Sequence, residues 1–127
     1  FFDNLWVPEE NVIGQINCGL DYVREAVLAQ RILCSAECVG DAYWFLNRAI
    51  QWAHERRSGG HAIAVNQGIQ YPLARAYIST ESAYLMVKRA ASLFESGSRS
   101  PKEANMAKFL SAHASWEAAE ACMNTYG

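Results

Sequence analysis

The chain has 127 residues, of which 51% are hydrophobic and 19% are charged, and its formal net charge is −2. This length accommodates one domain with a substantial core, and the low charged fraction leaves apolar surface for a partner. A net charge so close to zero produces no strong field, which argues against nucleic acid and against an anionic membrane surface as partners.

Residues 1–22 are predicted to be extended or irregular. Phe1 to Val7 is an aromatic segment that ends at Pro8, which is typical of a short strand. A single strand is not stable alone, so we expect it to be the last piece of a sheet formed elsewhere. Gly14 and Gly19 favour a loop for the residues that follow the proline.

From Val23 onward, apolar residues recur at three- and four-residue steps and predict one long amphipathic helix that ends at Arg57. Gly59 and Gly60 would stop it, and the two arginines of its last turn would complement the helix dipole. Gly40, in the middle of this helix, costs about 1 kcal/mol relative to alanine and indicates close approach of another helix. The predicted inward stripe is Leu28, Ile32, Ser35, Cys38 or Val39, Ala42, Phe45 or Leu46, Ala49, and Trp52 or Ala53.

Two further helices are predicted. One covers residues 67–95 with Asn66 as its N-cap, and Pro72 is expected to bend its first turns rather than end it. Residues 100–103, with the sequence Ser-Pro-Lys-Glu, have the pattern of a capping box with proline at the first helical position, and they predict a third helix to about Tyr126. The predicted inward residues are Ile69, Leu73, Ala76 or Tyr77, Thr80, Ala83 or Tyr84, Val87, Ala90 or Ala91, and Phe94, followed by Ala107, Leu110, Ala114, Ala118 and Ala121.

Three long helices with short connections predict an all-α fold, an antiparallel up-down bundle preceded by a short extended segment. Three helices with residual apolar surface amount to an incomplete four-helix bundle. Either a second copy completes it or a fourth helix is missing.

The four cysteines are Cys18, Cys34, Cys38 and Cys122. They contain no Cys-x-x-Cys pair and have no histidine at ligand spacing. Cys34 and Cys38 share a helical face and could serve a metal or a redox pair, but reduced cysteines acting as small core residues are the favoured interpretation. We predict no metal site.

Five segments, taken in order and at their spacings, form a specific pattern. They are Val7-Pro8-Glu9-Glu10-Asn11-Val12-Ile13-Gly14, Trp52-Ala53-His54-Glu55-Arg56-Arg57, Ile63 to Gln70, Met106-Ala107-Lys108, and Asn124-Thr125-Tyr126-Gly127. Together they resemble the acyl-CoA dehydrogenases over essentially the whole chain. The resemblance implies that residues 1–22 are the end of the family's middle β-domain with its linker, and that residues 23–127 are the first three helices of a truncated C-terminal bundle.

The resemblance also implies an activity, the α,β-dehydrogenation of an acyl-CoA thioester by an FAD-dependent enzyme that passes electrons to an electron-transfer flavoprotein. FAD is the implied cofactor, and further copies of the chain, in a dimer or tetramer, are implied partners. Gln30 stands where the isovaleryl and long-chain members carry their catalytic glutamate, and glutamine cannot abstract a proton. The other base position of the family would lie beyond Gly127. No catalytic residue is therefore predicted, and we expect the isolated chain to be inactive.

The cofactor-binding residues implied by the resemblance begin with Arg56. It matches the arginine of the family motif R-x-Q-F-G, which reaches the FAD pyrophosphate of a neighbouring subunit, and a guanidinium suits bidentate phosphate contact. Ser58 and Gly59 stand in place of the glutamine and the phenylalanine of that motif. Gln67 matches a glutamine near the adenosine end of FAD, and Asn124 stands where a flavin-contacting glutamine occurs. The full predicted set is Arg56, Arg57, Ser58, Asn66, Gln67 and Asn124.

The substrate-binding residues implied by the resemblance are Leu28 and Arg31, on the acyl-CoA side of the first helix. Arg31 precedes Arg56 by about 37 Å along a straight helix, so the two arginines cannot hold one small ligand. Without the resemblance, Arg56 would be a solvated partner of the helix dipole and Arg31 a surface arginine whose stem covers apolar atoms.

Two alternative functions remain open. The chain could be a non-enzymatic or degenerate helical module that keeps the bundle for assembly after loss of the flavin, as Gln30, Ser58 and Gly59 suggest. It could also serve another flavin chemistry on the same scaffold, of the acyl-CoA oxidase or nitroalkane oxidase type. No membrane span or signal peptide is predicted, so we expect a cytoplasmic location, or the mitochondrial matrix in a eukaryote.

Overall fold

The computed structural model describes residues 1–127. Its main elements are helix α1 (Gly19–Glu55), a hairpin of strands β1 (Arg57–Ser58) and β2 (His61–Ala62), and helices α2 (Gln67–Glu95) and α3 (Pro101–Tyr126). Two single-turn 3-10 segments occur at Glu9–Asn11 and Ile63–Val65. None of the helices combines the length and the apolar character needed to cross a membrane.

The three helices form the predicted all-α up-down bundle, which is confirmed. Arg99, just before α3, pairs with Glu25 near the start of α1, whereas Trp52 and Tyr126 meet at the ends of the same two helices. Because both pairs lie at matching ends, α1 and α3 run in the same direction. Helix α2, which lies between them in the sequence, is antiparallel to both.

The core consists mainly of alanine. Where the sequence left two candidates for an inward position, the structure buries Val39, Leu46 and Ala53 in α1, and Ala76, Ala83 and Ala90 in α2. In most of these pairs the smaller side chain is the buried one, because helix axes that approach closely leave no room for an aromatic ring between them. Phe94 is 43% exposed, so its predicted place in the core is wrong.

Four hydroxyl groups are buried among these alanines. The side chains of Ser35, Thr80, Ser111 and Thr125 donate to carbonyl oxygens one turn earlier in their own helices, at 2.6 to 3.3 Å. Their hydrogen-bonding capacity is therefore satisfied locally, and the core needs no polar contact between helices at these positions.

Several predicted boundaries differ from the structure. Residues 1–8 pair with no strand of this chain, so the predicted N-terminal strand is not formed here. Helix α1 begins at Gly19 rather than Val23 and ends at Glu55 rather than Arg57. Gly40 is exposed, and a Cβ at this position would meet nothing within 4 Å, so neither α2 nor α3 makes the predicted close approach to it.

The start of α3 agrees in position with the prediction. Ser100 is the N-cap and Pro101 is the first helical residue, but the Ser100 side chain makes no hydrogen bond to the helix backbone. The pKa of Glu103 is lowered by hydrogen bonding to its own backbone N–H and to Ser100. Pro72 lies inside α2 without ending it, as predicted.

Candidate functional site

The segment after α1 is a tight hairpin. Gly59 and Gly60 have φ values of 60° and 86°, as the two-residue loop of a type I′ turn requires. The strands pair Arg57 with Ala62 and Ser58 with His61. The predicted helix through Arg57 is therefore wrong, because the paired glycines favour strand pairing over another helical turn.

Arg56 is the residue at which α1 ends. Its backbone N–H donates to the Trp52 carbonyl at 2.8 Å, and its own carbonyl accepts from the N–H of Ile63 at 2.9 Å. Its guanidinium lies 6.0 Å from the Trp52 ring centroid. Since none of the ion pairs of the chain includes Arg56, its positive charge is free to meet an external anion.

Arg57 and Ser58 are exposed residues of the hairpin. The backbone of Arg56 is already extended, with φ −70° and ψ 125°. Successive residues of extended backbone point to opposite faces, so Arg56 and Ser58 share one face and Arg57 points to the other. The two arginines therefore do not converge on one small anion.

At the start of α2, the carbonyl of Asn66 accepts from the N–H groups of Ile69 and Gln70 at 2.9 and 3.0 Å. The Asn66 side chain makes no capping hydrogen bond, although the residue is the N-cap as predicted. Gln67 is exposed and borders a surface depression of about 420 Å³, which it shares with Gln70, Tyr71 and Ala74.

Asn124 borders a second depression, of about 230 Å³, between α2 and α3. Tyr71 contributes to both depressions, so Gln67 and Asn124 lie on either side of one tyrosine. Arg75 also lines the second depression, but it lies 3.7 Å from Glu117, which compensates its charge. This end of the bundle therefore carries all six predicted cofactor residues.

The two predicted substrate residues lie at the opposite end of α1. Leu28 is 4% exposed and forms part of the wall of a cavity of about 250 Å³. Arg99 and Glu25 border the same cavity and form an ion pair with contacts of 2.6 and 2.7 Å. Arg31 is half-buried and takes part in none of the ion pairs of the chain.

The unbroken α1 keeps the two ends of the candidate site apart. Because α1 is continuous from Gly19 to Glu55, a rise of 1.5 Å per residue places Arg31 and Arg56 about 37 Å apart along its axis. No group of three or more side chains is placed to hold a metal ion, and all four cysteines are free thiols.

The sequence predicts Trp52 only as a candidate for the inward stripe of the first helix and assigns no site role to it or to any tyrosine. In the structure, Trp52 supports Arg56, Tyr126 stacks on Trp52, and Tyr71 joins the two depressions. The spacing of Trp52 and Arg56, four residues apart on one helix, was the available signal. Nothing in the local sequence indicates the contact of Tyr126.

Comparisons with known proteins identify the family of the chain and support its fold. The family model described as "Acyl-CoA dehydrogenase, C-terminal domain" matches residues 17–127. An acyl-CoA dehydrogenase of Bacillus subtilis is 36% identical over 99% of this chain and 33% of its own length. The solved glutaryl-coenzyme A dehydrogenase in complex with glutaryl-CoA is 28% identical, with a TM-score of 0.85 over 100% of this chain and 32% of that one.

A second solved structure, described as the electron transferring flavoprotein of Acidaminococcus fermentans, matches with a TM-score of 0.91 and 28% identity over 99% of this chain and 33% of that one. The chain thus spans about a third of the length of the relatives it matches. Because the family model covers most of the sequence, from the start of α1 to the last residue, the chain belongs to the acyl-CoA dehydrogenase family and carries helices of its C-terminal domain.

Proposed function

We propose that this chain is the helical part of an FAD-dependent acyl-CoA dehydrogenase. In this proposal the end of the bundle around Arg56 contacts FAD bound mainly by a neighbouring subunit, and the end around Arg31 lies beside the acyl-CoA thioester. FAD, when bound, supplies the acceptor for the hydride that leaves the β carbon. The role of the chain is to bind and position, and no residue of it is assigned the removal of the α proton.

The observation that carries the proposal is the free charge of Arg56. Its guanidinium lies over the Trp52 ring, with no carboxylate to neutralise it. A supported guanidinium offers a phosphate two parallel N–H donors without first breaking an internal ion pair. These features fit the pyrophosphate of FAD.

Gln67, Asn66 and Asn124 support the same assignment. They are exposed amide side chains at the same end of the bundle, and the Asn66 side chain makes no capping hydrogen bond. Amides can donate to and accept from the adenosine and ribityl groups of a dinucleotide. We propose that they line the cofactor, together with Arg57 and Ser58 of the hairpin.

The hairpin tip is the part of the proposed cofactor site that differs most from the family motif. Family members carry a phenylalanine where this chain has Gly59, whose φ of 60° strains any side chain by about 1–2 kcal/mol. This observation favours a second candidate function, a degenerate module that keeps the bundle for assembly and has lost the flavin.

The remaining assignments belong to the same proposal. We propose that Leu28 and Arg31 contact the acyl-CoA, that electrons leave to an electron-transfer flavoprotein, and that the protein acts as a homodimer or homotetramer. The likeness to a chain of a solved electron transferring flavoprotein supports the proposed acceptor. We place the protein in the cytoplasm, or in the mitochondrial matrix of a eukaryote.

The experiment that tests the proposal is a graft. Residues 1–127 replace the matching third of the Bacillus subtilis relative, which is 36% identical. Flavin absorbance after gel filtration measures bound FAD, and an acyl-CoA with a dye acceptor measures turnover. We expect FAD retention and turnover in the graft, and no turnover by the 127-residue chain alone.

Two single substitutions in the graft test whether FAD binding depends on Arg56. Arg56→Met should weaken FAD binding about tenfold or more, the value of a charge-assisted hydrogen bond. Arg89→Met removes an exposed arginine near the other end of α2 and should leave FAD binding unchanged. A folded graft that retains no FAD would refute the flavin proposal and favour the assembly module.

A further inference from the structure

Cys38 is the cysteine whose thiol contacts a charged side chain of another helix. The ammonium nitrogen of Lys108, on α3, lies 3.7 Å from the Cys38 sulfur, on α1, although the two residues are 70 positions apart in the sequence. Both side chains are half-buried. The fold therefore holds a thiol and a primary amine together where α1 meets α3.

Lys108 has no carboxylate partner. It takes part in none of the ion pairs of the chain, and Glu37 and Asp41, which flank Cys38 in the sequence, are exposed and do not reach it. An ammonium that is partly removed from water is normally paired with a carboxylate or a carbonyl oxygen. Here the sulfur of Cys38 is the hydrogen-bond acceptor that the chain supplies to it.

Buried neighbours fix the backbones of both residues. Val39, next to Cys38, and Ala107, next to Lys108, belong to one buried cluster between the helices. Ser111, one turn after Lys108, is fully buried as well. The positions of the two Cα atoms are therefore set by the core, whereas the long stem of the lysine lets its nitrogen move the short distance to the sulfur.

A thiol beside an amine has a defined chemistry with peroxide. The thiolate attacks one oxygen of hydrogen peroxide, the O–O bond breaks, and a sulfenic acid and water are formed once the leaving hydroxide takes up a proton. A neighbouring nitrogen that has lost its proton to solvent can then attack the sulfur. The S–N bond forms, the S–O bond breaks, and the hydroxyl group leaves with a proton of the nitrogen as a second water.

Cys34, one turn before Cys38, is the other group that could react with such a sulfenic acid. Side chains four residues apart on a helix have Cβ atoms roughly 5–6 Å apart. A disulfide requires a Cβ separation of about 3.5–4.5 Å, so α1 would have to distort to form one. Lys108 reaches the sulfur without any change in the helix.

We propose that Cys38 and Lys108 form a peroxide-responsive covalent link between Sγ and Nζ, a sulfenamide that joins α1 to α3. One thiol, one amine and one hydrogen peroxide give the S–N bond and two waters, so the sulfur is oxidised by two electrons and the peroxide is reduced by two. The link protects the thiol from irreversible oxidation to the sulfinic acid. It involves neither FAD nor acyl-CoA and is independent of the proposed enzymatic function.

The first test maps the link in a chain that keeps Cys38 and has alanine at the other three cysteines. After treatment with hydrogen peroxide, the tryptic peptide of residues 32–48 should be joined to that of residues 103–127 with the loss of two hydrogen atoms. Cleavage after Lys108 should be blocked, because its nitrogen is no longer a free amine. Oxygen added to Cys38 together with normal cleavage after Lys108 would overturn the proposal.

Two lysine variants test whether the amine itself reacts. Lys108→Arg keeps the positive charge beside the sulfur, but a guanidinium remains protonated and is no nucleophile. It should abolish the link and leave Cys38 as the sulfinic acid. Lys102→Arg makes the same change at an exposed lysine of α3 and should leave the yield of the link unchanged. Equal yields in the two variants would mean that Lys108 is not the reacting group.

The third test measures the effect on the fold. A link between positions 70 residues apart should raise the thermal midpoint of the single-cysteine chain by about 10 °C. A dithiol, which attacks the sulfur and releases the amine, should reverse the gain. If peroxide raises the midpoint equally in Lys108→Arg, the gain comes from another oxidised group and the proposal is wrong. Circular dichroism before treatment establishes that each variant is folded.

Discussion

Trp52 and Tyr126 stack face to face, with ring centroids 4.8 Å apart and ring planes 6° apart. The pair joins the end of α1 to the end of α3 and places one aromatic ring beneath the Arg56 guanidinium. The residue proposed to meet the cofactor therefore depends on a contact made by Tyr126, in the last turn of α3.

Tyr126→Ala should lower the free energy of unfolding by about 1–2 kcal/mol. The substitution removes a stacked pair and the apolar area that it buries, although Tyr126 is 45% exposed. Urea unfolding followed by circular dichroism measures the change.

Tyr126→Phe is the control for this prediction. It keeps the ring and removes only a hydroxyl, whose hydrogen bond to the Arg48 carbonyl is long, at 3.5 Å. We expect a change below about 0.5 kcal/mol. If both variants lose the same stability, the hydrogen bond rather than the stack joins the helices.

One substitution at two glycines should have opposite effects. Gly40→Ala should raise stability by about 0.5–1 kcal/mol, because a Cβ would meet nothing within 4 Å and the residue lies inside α1. Gly60→Ala should lower stability by about 1–2 kcal/mol, because its φ of 86° disfavours a side chain. Thermal unfolding of the two variants measures the change in each. If both midpoints rise, or both fall, relative to the wild type, the prediction is contradicted.

The stability of the bundle should fall in alkaline solution because of Tyr43. Burial, together with a hydrogen bond of 2.7 Å to Glu81, raises the pKa of this phenol from 10.0 to about 12. The folded state thus holds the proton more tightly than the unfolded state. The resulting stability is fully present below pH 10 and is lost as the pH rises to about 12.

Unfolding free energies measured from pH 8 to pH 12 test this prediction. In Tyr43→Phe the decline across the upper part of the range should be shallower, because the titrating group is gone. An unchanged slope would assign the alkaline loss to other residues.

Enlarging one of the core alanines should be costly. Ala118 is fully buried, so Ala118→Leu forces side chains and helices apart and should cost about 1–3 kcal/mol. Ala36→Leu makes the same change at an exposed position of α1 and should be nearly neutral. Denaturant midpoints of the two variants compare them directly, and equal losses would mean that the helices do not approach as closely as described.

The helical pattern in the sequence was sufficient to predict three helices, their order and most of their inward faces. That pattern could not decide between adjacent candidates such as Ala76 and Tyr77, because the choice depends on the distance between helix axes. That distance follows from the whole set of facing residues and not from any one helix.

The candidate site was predictable in part. The resemblance selected six cofactor residues that the structure brings to one end of the bundle, and their roles stay predictions. The hairpin was not predicted, because Gly59 and Gly60 were interpreted as a helix stop while their second property, positive φ, favours a turn between paired strands. The contact of Trp52 with Tyr126 joins residues distant in sequence and leaves no local signal.

The continuity of α1 limits how this part of the protein can change in length. The helix has 37 residues without interruption. One inserted residue between Arg31 and Arg56 would turn one end relative to the other by about 100° and shift it by about 1.5 Å, whereas seven would add nearly two whole turns and restore the orientation. The segment between the two arginines can therefore tolerate insertions and deletions only in steps close to complete turns.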